Sequence, residues 1–364
     1  MRRILTMILA ATVCVACMET SIDEASNVNA GKKYLYATFE EDTRVELNEN
    51  MKNVWTAGDQ IVRYGTDTFD LWTFDGETGD RNGRFVEYGK FQTTLGYDFG
   101  DLYYALYSYH NYVGVGFYNT GEPAIFFNVQ GTQKYKKGTY DPESNIMFGV
   151  SDNGTNFSFR NLMSYLRLSI TGDKVVSHIT LKGNNNENLN GSMYAKYDNV
   201  DYLTWYDNIS QVTTLDCGDG VMLTDEPTHF YFTLPPMTFA SGINLTIYFT
   251  DGTVFPKSTL KPITIARNTI QPMTTFDTGG DTEWQTITIK HHGDRVSTPY
   301  FGGETSMSGI IYWGDGYMSD IVTAQSYVYN DNLGEHTIII KGQNINSFHL
   351  ENCEGVSEID FSEF

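Results

Sequence analysis

The runs Leu166-Arg-Leu-Ser-Ile170 and His178-Ile-Thr-Leu-Lys182 decide the fold class, because apolar residues recur at every second position in each. Successive side chains of a β-strand point to opposite faces, so each run has one apolar and one wet face. Tyr34-Leu-Tyr-Ala-Thr-Phe39 and Phe230-Tyr-Phe-Thr-Leu234 resemble them, and turns rich in Gly, Asn and Asp separate such runs. We find no stretch of ten or more residues with a helical period and caps. The sequence therefore predicts an all-β protein built of β-sandwiches.

The composition agrees with sheets and limits the partners. The 364 residues include 25 Tyr and 22 Phe, whose side chains suit a pleated, half-buried surface. The chain has 24 Lys and Arg against 45 Asp and Glu, a formal net charge of −21. Phosphate backbones and anionic lipid headgroups both attract clustered Lys and Arg. The charge balance therefore argues against nucleic acid as a partner.

The N-terminus predicts export. Met1-Arg-Arg3 is basic, Ile4–Ala16 is apolar but too short to span a bilayer, and Ala16 precedes Cys17. This arrangement resembles a bacterial lipoprotein signal, which implies cleavage before Cys17 and lipidation of its thiol. The alternative is an ordinary secretory signal that is cut nearby. We predict a signal peptide, a polar tether and a lipid anchor in the outer membrane at the cell surface, with the signal at 1–16 and the tether at 17–33.

Two turn-rich stretches, Gly154–Asn161 and Phe276–Asp281, divide the remaining chain. They predict two larger β-bodies, a small third body and a C-terminal tail, at residues 34–160, 161–277, 281–345 and 346–364. The tail contains Phe348-His-Leu350 and Val356-Ser-Glu-Ile-Asp-Phe361. This spacing fits the start of a leucine-rich-type repeat, and a plain capping strand fits it equally well.

Between residues 34 and 276 an ordered set of segments carries a family resemblance. The set includes Val54-Trp-Thr-Ala-Gly-Asp-Gln-Ile61, Leu102-Tyr-Tyr-Ala-Leu-Tyr-Ser-Tyr109, Leu215-Asp-Cys-Gly-Asp-Gly220 and Phe230-Tyr-Phe-Thr-Leu-Pro-Pro236. In their order and spacing these segments resemble the fimbrillin family of Bacteroidia surface lipoproteins. The resemblance implies two tandem transthyretin-like β-sandwiches and a role as a subunit or accessory of fimbriae, with other fimbrial subunits as partners.

The resemblance also implies a route to assembly. In the polymerising members, an arginine- or lysine-specific protease removes an N-terminal strand, and a strand of the next subunit fills the groove. Cutting at Arg44 would release the strand around Leu35–Phe39 in this chain. The alternative interpretation of Arg44 is a solvated charge at a strand end.

The residues after Thr278 form an addition that stalk subunits of the family lack. Gly309-Ile-Ile-Tyr-Trp-Gly-Asp-Gly316, Ser326-Tyr-Val-Tyr329 and Gly334-Glu-His-Thr-Ile-Ile-Ile340 resemble a PKD-like domain. Asp315-Gly316 also suits a tight hairpin on its own chemistry. The resemblance implies a spacer or recognition module, which fits a tip, anchor or accessory protein better than a stalk repeat.

The sequence lacks recognisable catalytic, phosphate-binding and zinc-binding motifs, so we expect neither an enzyme nor a cofactor or metal site. The histidine pair His291-His292 would lie on opposite faces of a strand and has no third ligand nearby. The acidic stretches Asp75–Asn82 and Asp216–Gly220 are interpreted as turns rather than calcium loops. Cys217 and Cys353 are interpreted as small buried side chains whose pairing is open.

The tryptophans provide the candidate ligand contacts. Trp55 and Trp313 lie in strand patterns and are predicted to be buried. Trp205 and Tyr206 lie between two polar pairs, in a loop-like context, and are the best surface aromatic candidates. They support an alternative function as a glycan-binding outer-membrane lipoprotein of a polysaccharide-capture system. The leading hypothesis is a fimbrillin-like surface lipoprotein that adheres to a host or bacterial receptor or glycan.

Overall fold

The structure is a computed structural model that describes thirteen stretches of the chain: residues 33–40, 54–65, 68–92, 100–107, 114–118, 121–199, 202–279, 285–297, 300–315, 317–321, 326–329, 334–350 and 354–364. Across these stretches the regular structure is β-strand, and the helical residues are those of a short 3-10 turn, Pro142–Ser144. The all-β prediction is therefore confirmed. Within the same stretches no helix is long and apolar enough to cross a membrane.

The chain divides into two compact units. The described residues of unit 1 fall within Met1–Glu40, Asn53–Phe127 and Phe148–Arg160, and those of unit 2 within Asn128–Met147 and Asn161–Phe364. Unit 2 thus takes in the second and third predicted bodies and a short piece of the first. The predicted domain boundaries themselves stay predictions.

The first ten strands are β1 (Tyr34–Phe39), β2 (Gln60–Gly65), β3 (Thr68–Phe74), β4 (Gly83–Gln92), β5 (Tyr103–Tyr107), β6 (Gly114–Tyr118), β7 (Glu122–Val129), β8 (Thr132–Lys134), β9 (Met147–Ser151) and β10 (Asn156–Asn161).

Unit 1 contains a closed β-barrel. Its strands follow the order β1-β10-β9-β5-β2-β3-β4, while β6 and β7 form a hairpin that is not part of the barrel path. β1 closes the circle, because it pairs in parallel with β10 on one side and antiparallel with β4 on the other. A closed sheet leaves no edge strand with unpaired backbone groups.

Aromatic side chains fill the interior of the barrel. Trp55 is fully buried, and the ring of Phe39 stacks on it at a centroid distance of 4.5 Å. Phe85 and Phe159 meet the same indole edge-to-face at 4.9 and 5.5 Å. A Cβ atom on Gly83 would lie 2.7 Å from the indole nitrogen of Trp55, so only glycine fits there. The predicted burial of Trp55 is confirmed.

Unit 2 contains the remaining strands. Two of its sheets have the orders β16-β11-β21 and β19-β18-β12-β15-β8, and a further sheet has the order β26-β25-β28-β23-β29. The strands are β11 (Ser164–Thr171), β12 (Val175–Gly183), β13 (Asn190–Lys196), β14 (Leu203–Ser210), β15 (Val212–Met222), β16 (Thr228–Leu234), β17 (Met237–Phe239), β18 (Ile243–Phe249), β19 (Val254–Thr259), β20 (Ile263–Ile265), β21 (Ile270–Pro272), β22 (Phe276–Asp277), β23 (Gln285–His292), β24 (Arg295–Ser297), β25 (Tyr300–Tyr312), β26 (Met318–Asp320), β27 (Ser326–Val328), β28 (Glu335–His349) and β29 (Val356–Glu363).

The first two of these sheets form a sandwich. Leu168 of β11 and Phe232 of β16 share one hydrophobic core with Ile179 of β12 and Ile247 of β18, and all four side chains are fully buried. Apolar side chains from both inner faces therefore meet in one layer, as the alternating sequence pattern predicts.

A glutamine side chain supplies a hydrogen-bonded rung inside this sandwich. The amide of Gln133 donates to the carbonyl oxygen of Thr233 at 2.7 Å and accepts from the Thr233 N–H at 2.8 Å. Gln133 is completely buried, so its amide replaces a strand partner at a point that water does not reach. Gln285 makes the same pair of bonds to Ile345 in the C-terminal sheet, at 2.9 and 2.8 Å, but is partly exposed.

The C-terminal sheet has its own core. Ile289, Trp313, Ile338 and Ile340 pack in it, and the short β24–β27 pair contributes Val296. The tail residues 356–363 form β29, an outer strand paired with β23. The hydroxyl of Ser258 on β19 donates to the Met307 carbonyl on β25, so the C-terminal sheet packs against the sandwich within unit 2.

One local prediction is wrong. Asp216–Gly220, interpreted as a turn, lies inside β15. The register against β12 jumps from Asp216 to Val221, which makes the intervening residues a bulge, and Gly218 and Gly220 adopt positive φ there. The residue types that favour turns also favour β-bulges, and sequence alone did not separate the two.

Substituting the two glutamines provides a matched test of the buried rung. Gln133→Ala leaves the N–H and C=O of Thr233 buried without partners, and we expect it to lower the free energy of unfolding of unit 2 by about 3 kcal/mol. Gln285→Ala removes the same two bonds at a partly wet position, where we expect a loss of about 1 kcal/mol. Urea denaturation of both variants measures the difference. Equal losses would contradict the role assigned to burial.

Candidate strand-exchange and ligand-contact sites

β1 is the candidate strand for exchange, and its contacts define the site. Leu35 and Ala37 point into the barrel and are 0% and 1% exposed, whereas Tyr36 points outward. The Tyr36 N–H donates to the Thr155 carbonyl at 2.7 Å, and the Glu40 N–H donates to the Phe159 carbonyl at 2.8 Å. Without β1, β4 and β10 would each lose a partner along their length, and the apolar positions under Leu35 and Ala37 would open.

The contacts at the start of β1 are weak. The guanidinium of Arg84 lies 5.1 Å from the ring centroid of Tyr34, and Lys33 Nζ is 4.0 Å from a carboxylate oxygen of Glu87. Lys33 is largely exposed, and exposed ion pairs of this length contribute little to stability. Apolar side chains and backbone hydrogen bonds therefore hold β1 in place. Cys17 and Arg44, the predicted lipidation and processing positions, lie outside the described residues.

Trp205 and Tyr206 lie on a strand, so their predicted loop context is wrong. They belong to β14, where Trp205 pairs with Met193 of β13. The strand register shifts twice between Asn190 and Met193, and these irregularities explain why the segment lacks a clean alternation in sequence. Trp205 is half-buried, and Tyr206 is 39% exposed.

An aromatic and polar surface surrounds Tyr206. The centroid of its ring lies 6.4 Å from the centroid of the Tyr194 ring. Burial raises the pKa of the Tyr206 hydroxyl, a hydrogen bond with Ser192 opposes this, and the charge of Asp207 adds to it. Tyr202, 46% exposed, holds Lys196 Nζ 5.3 Å from its ring centroid. The hairpin of β13 and β14 thus presents aromatic faces beside hydrogen-bonding groups, an arrangement that suits stacking on a sugar ring.

The acidic loop Asp75–Asn82 connects the antiparallel strands β3 and β4, as the hairpin interpretation predicts. Its carboxylates have internal partners, because Asp75 accepts from Arg84 at 2.7 Å and Asp80 accepts from the Glu77 N–H at 3.1 Å. Thr78 accepts from the Ala57 N–H at 3.0 Å. These bonds shape the turn. The described residues contain no group of three or more His, Cys, Asp or Glu that could hold a metal ion.

The Trp-Gly-Asp segment after β25 is a tightly bonded turn. Trp313 is 1% exposed, as predicted, and its indole N–H donates to Ser319 at 3.0 Å. Tyr327 stacks on Trp313 at 4.5 Å and donates its hydroxyl to Asp315 at 2.6 Å. Burial acts to raise the pKa of Asp315, but hydrogen bonds from Tyr327 and from the Tyr317 N–H outweigh it and lower the pKa.

Sequence reasoning missed a pair of buried histidines. His291 on β23 faces His336 on β28, and their side chains are 1% and 2% exposed. The ring of Tyr329 stacks on that of His336 at a centroid distance of 3.5 Å, and its centroid lies 6.2 Å from that of the His291 ring. His292 turns to the opposite face, as predicted, where its Nε2 is 2.9 Å from Glu335. The pairing of β23 with β28 creates the cluster, and no local motif in the sequence signals it.

Burial lowers the pKa of His291. Backbone groups of Glu354 and Arg295 act in the opposite direction, while His336 and His292 lower the pKa further. Neither ring nitrogen of His291 has a hydrogen-bond partner of good geometry. The imidazole is therefore held neutral in the core.

Cys217 is buried, as predicted, and is a free thiol. Burial raises its pKa to about 12, and the charge of Asp216 adds to the rise. A thiol with so high a pKa has almost no thiolate at neutral pH, so it is a packing residue rather than a nucleophile. Cys353 lies outside the described residues.

No family model and no curated protein matches the sequence. Among solved structures, the chain is similar to a candidate cell adhesion protein from Bacteroides ovatus, with 11% identity, 83% of this chain and 99% of that chain covered, and a TM-score of 0.43. A candidate cell adhesion protein from Bacteroides uniformis matches with 13% identity, coverages of 68% and 94%, and a TM-score of 0.36. The fimbrial anchor protein Mfa2 from Porphyromonas gingivalis matches with 13% identity, coverages of 62% and 82%, and a TM-score of 0.26. All three are described as adhesion or fimbrial proteins, but at such identities and TM-scores the likeness carries no function over to this chain.

Acid should weaken the C-terminal sheet through His291. The unfolded imidazole binds a proton near pH 6.5, whereas the folded one has a lowered pKa and binds it only at lower pH. The contribution of the neutral His291 imidazole to the free energy of unfolding is therefore fully present above about pH 6.5. It falls as the pH drops below that value, by up to about 1.4 kcal/mol per pH unit. Urea denaturation between pH 8 and pH 5 should show this fall, and His291→Leu should flatten it.

The neighbouring histidine provides the control for this effect. His292→Gln removes an exposed imidazole, and most of the fall in stability below about pH 6.5 should remain, because burial is the main cause of the lowered pKa of His291. A pH dependence that survives His291→Leu and disappears in His292→Gln would contradict the assignment to the buried ring.

Proposed function

We propose that this protein is a fimbrillin-like component of cell-surface fimbriae, a tip, anchor or accessory protein, which assembles with other fimbrial subunits through β-strand exchange. The ordered fimbrillin-like segments between residues 34 and 276 support this function, together with the leader at 1–16. Cys17 would carry the lipid that anchors the protein in the outer membrane. The protein would act by contact, and we expect no catalytic activity.

The observation that carries this proposal is the position of β1. A short strand near the N-terminus lies between β10 and β4, and it alone joins those two strands in the barrel. Its removal would create two unpaired edges side by side and an apolar groove. Such a groove is what an incoming strand needs, because the strand would satisfy both edges along their length.

The binding energy of such a strand lies mainly in its inward side chains. Burying a leucine fully, as at Leu35, contributes roughly 1.5–3 kcal/mol. Phe39 adds its stack on Trp55 at 4.5 Å. An incoming strand must therefore offer apolar side chains at alternate positions, with a large one opposite Trp55.

The C-terminal sheet supports an accessory role rather than a stalk role. Residues 285–364 build a third sheet and core beyond the sandwich. The hydrogen bond from the Ser258 hydroxyl to the Met307 carbonyl connects this sheet to the sandwich. The resemblance implies that stalk subunits lack such an addition, so the addition fits a tip, anchor or accessory protein better.

Processing at Arg44 and surface location are tested on the native protein. N-terminal sequencing of the surface-exposed form should find a start after Arg44, which would place the cut beyond β1. A start only at Cys17 would exclude strand removal. Fractionation with surface proteolysis tests the location, and protein found only in the cytoplasm or the soluble periplasm would exclude the fimbrial role.

Strand exchange is tested in vitro on the mature chain. A specific protease site introduced at residues 43–46, after the end of β1, allows the covalent link between β1 and the rest of the barrel to be cut. A labelled peptide of residues 33–40 should then enter the cut protein, and the peptide with Leu35→Asp should bind at least tenfold more weakly because its carboxylate would be buried. The peptide with Tyr36→Asp provides the control, since Tyr36 points outward.

Uncut protein should not take up the peptide, because its groove is filled. Equal uptake by cut and uncut protein would contradict exchange at this site. So would equal binding of the Leu35→Asp and Tyr36→Asp peptides.

The alternative function is glycan binding by an outer-membrane lipoprotein of a polysaccharide-capture system. The observation that favours it is the surface of the β13–β14 hairpin, where Tyr206 and Tyr202 are exposed beside the half-buried Trp205. Asp207 and Asn208 on the same strand are exposed and offer hydrogen bonds to sugar hydroxyls.

A glycan array on the mature chain distinguishes the two functions. If the alternative holds, Trp205→Ala and Tyr206→Ala should each weaken binding by about five- to tenfold, which corresponds to about 1 kcal/mol of stacking. Tyr88→Ala removes a more exposed ring, on the barrel, and provides the control. Saturable binding that is insensitive to Trp205 and Tyr206 would exclude this site.

A further inference from the structure

The outer strand of the C-terminal sheet has one edge with no strand partner among the described residues, which we call its free edge. β29 is last in the order β26-β25-β28-β23-β29 and pairs with β23 alone among the described strands. Most of its residues are exposed. An outer strand presents backbone N–H and C=O groups that another strand can pair with, and proteins commonly block this with charged side chains or Pro. Val356–Glu363 contains no Pro, and its charged side chains are all acidic, so they disfavour an acidic incoming strand but not a basic one.

The register of β29 sorts its side chains by chemistry. Glu358, Asp360 and Glu363 pair with Lys290, Thr288 and Thr286, which lie at alternate positions of β23 and therefore share one face. Val356 and Ile359 pair with His291 and Ile289 on the other face. The strand therefore has an acidic face and an apolar face.

The apolar face of β29 continues into a row of aromatic rings. The ring of Phe361 packs against that of Phe348 of β28 at a centroid distance of 5.4 Å, and the ring of Phe348 packs against that of Phe301 of β25 at 5.7 Å. Phe364 extends the row beyond Phe361 at 6.0 Å, and both of these rings are 44% exposed. This end of the sheet therefore offers apolar contact beside the free edge.

The charges on β29 select the kind of strand that fits. Lys290 Nζ lies 2.6 Å from Glu358, so that carboxylate is already paired. Asp360 accepts from the Ser362 N–H at 2.8 Å, which keeps it ionised, and among the described residues neither Asp360 nor Glu363 has a basic partner. A second copy of β29 would bring further carboxylates against these, and the net charge of −21 adds to the repulsion.

We propose that the free edge of β29 binds a β-strand of a different protein in which Lys or Arg alternates with apolar residues. The incoming backbone pairs with β29, its cations lie beside Asp360 and Glu363, and its apolar side chains extend the row of Phe361 and Phe348. This is β-strand addition to an existing edge, and no strand of this protein has to leave. The site does not depend on the fimbrial role and is separate from the barrel.

The test uses the mature chain and three labelled seven-residue peptides. One alternates Val with Lys, one alternates Val with Glu, and one has the composition of the first with its Lys residues in a block. We expect saturable binding of the alternating Lys peptide by fluorescence anisotropy, at least tenfold weaker binding of the other two, and weakening with added salt. Hydrogen exchange should show new protection within residues 356–363.

Variants separate a specific edge from general attraction to an acidic protein. The double variant Asp360→Lys, Glu363→Lys should weaken binding of the alternating Lys peptide at least tenfold and strengthen binding of the Glu peptide. The double variant Asp360→Asn, Glu363→Gln should weaken binding of the Lys peptide less, and it keeps an acceptor for the Ser362 N–H. Asp225→Lys with Glu226→Lys makes the same charge change at exposed positions outside any strand and should change binding less than twofold.

Three results would overturn the proposal. An equal loss of peptide binding in the Asp225→Lys, Glu226→Lys variant would show that the peptide responds to the overall negative charge of the protein. Equal binding of the peptide with its Lys residues in a block would show that the alternation is not recognised. Self-association of the wild-type chain with protection of β29 would assign the edge to a second copy instead. Unchanged exchange protection in β23 and β28 shows that each variant is folded.

Discussion

The structure depends on one constraint, which is that each backbone N–H and C=O group in a sheet must have a partner or reach water. In unit 1, β1 satisfies this constraint by closing the barrel between β10 and β4. In unit 2 the amide of the Gln133 side chain meets the same demand inside the sandwich, because Thr233 lies on the outer strand β16, which has a strand neighbour, β11, on one side in its sheet. At the outer strand β29 the described residues provide a strand partner on one side, and most residues of the strand are exposed. These three solutions differ in how easily another chain could replace the partner, and both proposed modes of assembly follow from that difference.

The sequence was sufficient to predict the elements that have clean alternation. β11 and β12 form where Leu166–Ile170 and His178–Lys182 alternate, and the inward residues of both are in one core. Trp55 and Trp313 are buried, as predicted, but the predicted strand context of both is wrong, because Trp55 precedes β2 and Trp313 directly follows β25. Where the ladder is irregular, the prediction failed. The sequence predicts a turn where β15 has its bulge at 217–220, and a loop at Trp205, next to which the β13–β14 register shifts.

The remaining features depend on contacts between residues that are far apart in the chain. His291 and His336 form a buried pair only because β23 and β28 are neighbours in the sheet. The two residues are 45 positions apart in the sequence, so no local pattern indicates the pair. The closure of the barrel is similar, since β1 and β10 are joined in space by a parallel ladder between residues 36–39 and 156–159. A periodic pattern reports which face of a strand is apolar, but it carries no information on which strand lies next to it. The sequence resemblance therefore indicates the strand around Leu35–Phe39, but its two neighbours in the barrel and the outer position of β29 are visible only in the sheet order.

The mixed pairing of β1 has a consequence for the polarity of any assembly. β1 runs parallel to one neighbour and antiparallel to the other, so a reversed strand in the same slot would exchange the two ladder types and still find a ladder on both sides. The backbone alone thus distinguishes poorly between the two directions. The order of side-chain sizes would instead distinguish the two directions, because Leu35 and the small Ala37 are followed by the large Phe39, which stacks on Trp55. The direction in which a partner's strand enters the barrel would then depend on this asymmetric order of inward-facing side chains.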